Sequence, residues 1–167
     1  MKKCKLRRER FTFTSAVVLI TIDLTGCVKL AVVMQRSGKL LSLIKGREEK
    51  CDMGCPDNCA FRELLEEVAG LTQVSDMLDL GSHTFNEGCN HMRWFAMVTP
   101  DISTLSVRDT NELEYVTWVP LRDVLDPMYS ANRYVANRSF WRLHYDSELV
   151  YELEQLAHDE FTAHGWW

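Results

Sequence analysis

The stretch Cys59-Ala60-Phe61-Arg62-Glu63-Leu64-Leu65-Glu66-Glu67 decides how this chain is read. Phe61, Leu64, Leu65 and Val68 recur at helical spacing, Pro56 suits a first helical position and Asp57 a first turn, so a helix is predicted from Pro56 to Ala69. Gly70 suits its C-terminal stop. On that helix Glu63, Glu66 and Glu67 stand at i, i+3 and i+4, which puts three carboxylates on one face within a turn of each other. Like charges at that spacing repel, and a hard divalent cation such as Mg²⁺, which prefers oxygen ligands, relieves the repulsion. A solvated acidic face is the commonest origin of three such glutamates. The surrounding residues decide between the two.

Upstream, Phe11 to Asp23 and Val28 to Gln35 are rich in β-branched residues, and Leu24-Thr25-Gly26-Cys27 between them carries a turn glycine, so a β-hairpin is predicted. Lys39 to Ile44 reads as a third, short strand. Further strands are expected at Leu78 to Phe85, Met92 to Val98 and Tyr115 to Pro120, and a last helix at Ser147 to Phe161. Strands and helices mix without a regular βαβ repeat, internal repeat or linker, so the fold class is α+β in a single domain, residues 1–167, with a mixed β-sheet.

Composition bounds the function. A chain of 167 residues with 46% hydrophobic content builds a sizeable core, which excludes overall disorder. A formal net charge of −5 argues against a protein that coats nucleic acid through bulk charge, and no DNA partner is expected. Residues 1–10 nevertheless hold Lys2, Lys3, Lys5, Arg7, Arg8 and Arg10, either a solvated tail or a track for an anionic polymer. The longest apolar run, Ala16 to Ile22, is too short to span a bilayer and no cleavage-site pattern follows it, so no membrane partner is expected. Six cysteines without a secretory signal read as free thiols of a reducing, cytoplasmic compartment. Cys51, Cys55 and Cys59 recur every four residues, and Cys89 with His91 would complete a tetrahedral set. The C-x-x-C pairing of such sites is absent, however, and Cys59 already fits the apolar side of the helix.

With its flanks, Lys45-Gly46-Arg47 … Cys59-Ala60-Phe61-Arg62-Glu63-Leu64-Leu65-Glu66-Glu67 … Gly70-Leu71 resembles the signature box of the Nudix hydrolases, whose core reads R-E-U-x-E-E with U aliphatic. The resemblance implies a Nudix-type α/β/α sandwich and a Mg²⁺- or Mn²⁺-dependent hydrolase of phosphoanhydride bonds. It implies metal held by Glu63, Glu66, Glu67 and the Lys45 main-chain carbonyl, with Gly46 and Arg62 structural and Arg62 orienting the helix. Gly46, five residues, Asp52 and nine residues lead to Arg62, two residues more than the family spacing, and one further residue stands between Glu67 and Gly70. Downstream, Asn111-Glu112-Leu113 precedes Tyr115 to Leu121 as a late acid precedes the closing strand in many Nudix enzymes. Glu112 is therefore the candidate fourth carboxylate, with Glu87 and Glu114 as competitors, and Glu66, Glu67 and Glu112 are the catalytic candidates. Walker-type glycine loops and Gly-x-Ser-x-Gly elbows are absent from the sequence.

Leu43-Ile44-Lys45-Gly46-Arg47 and Cys59-Ala60-Phe61-Arg62-Glu63 are most similar to the mRNA-decapping branch of that family, found in eukaryotes and large DNA viruses. This likeness implies capped RNA as substrate, with release of methylated guanosine diphosphate and 5′-monophosphate RNA. Small nucleoside, dinucleoside or diphosphoinositol polyphosphates are the alternative substrates, and a non-catalytic binding module is the alternative class. An RNA reader uses basic side chains on phosphates and aromatic rings on bases, and Arg133, Tyr134, Arg138, Phe140, Trp141 and Arg142 supply that mixture, as would an amphipathic packing segment. Arg47, Trp94, Arg133 and Arg138 are the substrate-binding candidates, although a Trp in such a strand is more often a core residue.

Overall fold

The computed structural model describes residues 13–85, 88, 90–130 and 134–167. The basic stretch 1–10, Glu87, Cys89 and Arg133 lie outside the described residues. Strand β1 (Phe13–Ile22) and strand β2 (Val28–Gln35) form the expected hairpin, with Gly26 N and Cys27 O closing the turn on the main chain of Asp23. Along β1 the side chains alternate between two cores: Ala16, Val18, Ile20 and Ile22 enter one, Val17 and Leu19 the other. A strand apolar on both faces must lie between two covering layers. Its unbroken apolar run therefore marks the centre of the sheet.

The partners of β1 build the rest. Strand β3 (Leu41–Ser42) pairs with β2, strand β4 (Ile44–Arg47) with the first half of β1, and strand β6 (Leu78–Phe85) with strand β7 (Asn90–Val98). Strand β7 runs parallel to β1 from Phe13↔His91 to Ile20↔Val98, and strand β9 (Leu113–Pro120) is antiparallel to β2. The order is thus β3-β2-β1-β7-β6, with β4 on β1 and β9 on β2. Because β1 takes β4 over Thr14–Val17 and β2 only over Ile20–Ile22, β2 and β4 diverge, and a cleft opens between them.

Helix α1 (Pro56–Glu67) covers one face of the sheet and buries Ala60 and Leu64 against Val17, Leu19, Ile44 and Phe95. The short helix α2 (Trp141–His144) and the long helix α3 (Ser147–His164) cover the other, α3 through Leu149, Val150, Leu153, Ala157 and Phe161. This is the expected α/β/α sandwich around a mixed sheet. Fully burying one such leucine contributes about 1.5–3 kcal/mol, so these two faces dominate the stability. Among the described residues no helix is long and apolar enough to cross a membrane.

Three expectations need correction. Lys39 to Ile44 is not one strand: the chain leaves β2 after Ser42, is tied there by Leu43 N donating to Ser139 Oγ (2.9 Å), and rejoins the sheet on β1 as β4. The helix ends at Glu67, because Val68 and Ala69 are extended as strand β5 (Val68–Ala69) on strand β8 (Ser106–Val107). Gly70 is therefore no helix stop. Its φ is +93°, and a Cβ there would collide with the Thr104 carbonyl, so only glycine fits. Finally, Trp94 cannot stack on a base: it is fully buried on β7 facing α2, and its Nε1 donates to Ser139 O at 2.7 Å.

Candidate metal and phosphoanhydride site

Helix α1 presents its acids beside β4. Glu63 and Glu67 are buried where the helix packs on Lys45 and Gly46, while Glu66, one turn along, faces solvent. Lys45 N donates to Glu67 Oε1 at 3.3 Å. At Gly46 a Cβ would run into the Glu63 carboxylate, so the absence of a side chain is what lets strand and helix approach. The cleft between β2 and β4, about 600 Å³, is lined by Lys45, Gly46, Arg47, Glu49, Glu63 and Glu67, and across from them by Asn111 and Glu112. Glu112 thus joins the helix acids across the fold from a position 45 residues downstream of Glu67. Glu114 does not: it forms an ion pair with Lys39.

Burial sets the electrostatics. It pushes the Glu67 carboxyl up to about 8, with the neighbouring Glu63 adding to the shift, and the Glu63 carboxyl up to about 7, where Arg62 opposes it. Lys45 is shifted down, chiefly by its own burial and against the pull of Glu67 and Glu63. Acids crowded out of water in this way favour a compensating cation.

Arg62 is the pivot. Its Nε and Nη2 grip Asp52 Oδ1 and Oδ2 at 2.8 and 2.9 Å, and Nη2 also donates to Arg47 O at 2.8 Å. Its Nη1 is shared by Glu49 (3.1 Å), Glu63 (2.9 Å) and Glu66 (3.0 Å). The guanidinium bonded to Asp52 holds that carboxyl below the usual carboxylate range. The two residues inserted between Asp52 and Arg62 leave this fork intact. A 3₁₀ turn at Lys50–Asp52, with left-handed Met53 and Gly54 behind it, takes up the slack before Pro56 starts the helix. Asp52 and Arg62 therefore meet despite the longer spacing.

Glu112 is placed by a residue that no sequence motif marked. Arg36 donates from its main-chain N to Glu112 O (2.8 Å), from Nε to Thr110 O (3.1 Å) and from Nη2 to Leu113 O (3.3 Å). The loop's other end is fixed by Arg108 N donating to Glu67 O (2.8 Å), so the fourth acid is tied to the helix that bears the other three.

Oxygens of Glu49, Glu63 and Glu66 lie within 4.8 Å of one another, gathered on Arg62 Nη1, and Glu67 and Glu112 face the adjoining cleft, a set of hard oxygen donors of the kind a divalent ion takes. Glu49 is a member the sequence reading did not name. The cysteines form no such group among the described residues: Cys51 and Cys55 are exposed, and Cys59 is buried with its Sγ 3.4 Å from Gly46 O and its thiol pushed up to about 11 by burial. Of the substrate-binding candidates, Arg47 lines the cleft. Arg138 lies over the Phe85 ring, 4.9 Å from its centroid, apart from the carboxylates, and the rest of its segment divides between core (Phe140) and surface (Tyr134).

No protein-family model matches the sequence, and no curated protein matches it. Solved structures do match by shape. A Nudix hydrolase from Listeria monocytogenes aligns over 87% of this chain and 96% of its own, with a TM-score of 0.62 and 19% identity. The Nudix domain of Shewanella oneidensis NrtR, complexed with ADP ribose, aligns over 82% and 86% with a TM-score of 0.58 and 15% identity. An Ap4A hydrolase from C. elegans aligns over 83% and 97%, with a TM-score of 0.58 and 14% identity. With helices on both faces of a mixed sheet and the glutamate helix set against β4, the chain has the Nudix fold.

Proposed function

We propose that the chain is a divalent-metal-dependent pyrophosphohydrolase whose favoured substrate is the 5′ cap of mRNA. The observation that carries the hydrolase reading is the convergence of Glu63 and Glu67 on α1 with Glu112 from a distant loop around a cleft that also holds Lys45 and Arg47, with a Glu66 oxygen within 4.8 Å of one of Glu63 at its edge. Glu63, Glu66, Glu67 and the Lys45 carbonyl would hold Mg²⁺ or Mn²⁺. Bound there, such an ion neutralises diphosphate charge and lowers the pKa of a bound water. Glu112, without an ion pair among the described residues, faces the helix acids and is suited to accept the proton of the attacking water. Water adds to one phosphorus, the bridging P–O bond breaks, and the products are a cap nucleoside diphosphate and a 5′-monophosphate RNA. Retention of every box glutamate argues against a non-catalytic module.

The cap preference rests on the Lys45-Gly46 and Cys59-Ala60-Phe61-Arg62-Glu63 patterns. A small dinucleotide-type substrate is the second reading, favoured by fold neighbours that bind ADP ribose or cleave Ap4A. Cap-labelled RNA is to be incubated beside a panel of dinucleoside, nucleoside and inositol polyphosphates with Mg²⁺ or Mn²⁺. Labelled cap diphosphate is the expected product. Cleavage of a small substrate without it would overturn decapping. Full activity in a Glu66→Gln, Glu67→Gln variant would overturn the metal site.

A further inference from the structure

Helix α1 is apolar on two sides. Ala60 and Leu64 fill the core, yet Phe61 and Leu65, at i and i+4 on the outward side, remain 41% and 43% exposed. They form the floor of a second, shallow cleft of about 580 Å³, walled by Asn58, Arg62, Glu66 and Arg108. That volume is in the range of small-molecule sites. Its position is set by the carboxylates gathered on Arg62, two of them proposed metal ligands: Glu66 lines the shallow cleft, Glu49 and Glu63 line the deep one, and the three lie within 4.8 Å of each other. The cluster is therefore a ridge between two clefts.

A phosphoanhydride carries a substituent on each side of its scissile bond, so a substrate whose phosphates sit on the ridge places one substituent in each cleft. The deep cleft offers Lys45, Arg47 and carboxylates. The shallow one offers an apolar floor and two guanidiniums: Arg62, engaged with Asp52, Glu49, Glu63 and Glu66, and Arg108, which has no ion pair among the described residues and whose main chain is fixed by its bond to Glu67 O. An aromatic floor beside a cation not engaged with a carboxylate matches a nucleobase and its adjoining phosphate. Two apolar side chains are too few for a protein interface, which buries about 800 Å² on each partner.

We infer that the Phe61–Leu65 cleft is a second substrate subsite that takes a nucleobase by stacking, with its phosphate on Arg108. The inference rests on the pyrophosphohydrolase reading and assigns that site a substrate with a base beyond the scissile bond. The test compares wild type with a Phe61→Ala, Leu65→Ala variant and with Arg108→Ala, using a capped dinucleotide as substrate and inorganic tripolyphosphate, which has no base, as competitor. The KM for the capped dinucleotide is expected to rise about tenfold in the first variant, the scale of one lost stack, with kcat within about twofold. The inhibition constant of tripolyphosphate is expected to stay unchanged in that variant and to rise in Arg108→Ala along with the KM, and Phe61→Trp to keep the wild-type KM. Urea midpoints confirm that the exposed substitutions leave the fold intact. An unchanged KM in the Phe61→Ala, Leu65→Ala variant, or an equal shift there for the base-free competitor, overturns the subsite. Absence of turnover by the wild type on every phosphoanhydride overturns the hydrolase reading itself, and this inference with it.

Discussion

Replacing Arg62 with alanine should destabilise the fold as well as abolish turnover. Asp52, which takes two of its bonds, has a side chain only 2% exposed, and Glu63 is also largely covered. Removing one partner of a buried, hydrogen-bonded pair leaves a charge without compensation, a loss of about 3–5 kcal/mol. The contacts to Glu49 and Glu66 end on half-exposed carboxylates and add only a few tenths of a kcal/mol. With a urea dependence of about 2 kcal/mol/M for a chain of this size, the midpoint should fall by about 1.5–2.5 M. Arg62→Lys keeps the charge but not the fork and should recover only part of the loss. A double-mutant cycle with Asp52→Ala should show a coupling of about 2–3 kcal/mol, because each single change strands the other residue. A midpoint shift under about 0.5 M, or strict additivity, would refute the claim that this fork anchors the helix.

Gly46→Ala separates folding from chemistry: the new Cβ meets the far end of the Glu63 side chain, which swings aside at about 1 kcal/mol in stability, while kcat falls on the order of 100-fold. Calorimetric titration with Mg²⁺ should show weaker binding in that variant, and wild-type kcat would refute the assignment. Thr21→Val should stabilise by about 1 kcal/mol, read as a rise of roughly 2–4 °C in melting temperature, since the buried Thr21 hydroxyl has no hydrogen-bond partner among the described residues. Asp146 caps α3, its carboxylate accepting from Leu149 N (2.9 Å) and from Arg142 Nη1 (2.9 Å), which holds its pKa below the ordinary 3.8. Its contribution is complete above that ordinary value and is lost as pH falls through the lower, folded-state value. Asp146→Ala should therefore lose about 1 kcal/mol at pH 7, with the two urea midpoints converging in acid; a pH-independent gap would refute the cap.

Much of this fold is legible in the sequence where a local pattern carries it. Helix α1 declares itself by period and by Pro56, and β1 by an apolar run that only a central strand bears. What escapes is long-range. Whether Trp94 faces core or solvent depends on its register beside Ala16 on β1, and no window around Trp94 contains that partner. The break in Lys39–Ile44 depends on Ser139, almost a hundred residues away. The same division runs through the site. Glu63, Glu66 and Glu67 are legible because one helix turn holds them. Glu112 was legible only from its place before the closing strand. Arg36, in a turn between strands, gives no signal, since an arginine is ordinary there and its role lies in carbonyls more than 70 residues downstream.

The manner in which Arg36 holds that loop has an evolutionary consequence. Among the described residues it reaches only main-chain oxygens, of Thr110, Glu112 and Leu113, which every residue type supplies. Thr110 and Asn111 can therefore be exchanged during divergence while Glu112 keeps its place opposite the glutamate helix. Because Asn111 lines the same cleft, the loop is free to acquire new substrate preferences one residue away from an acid that stays put.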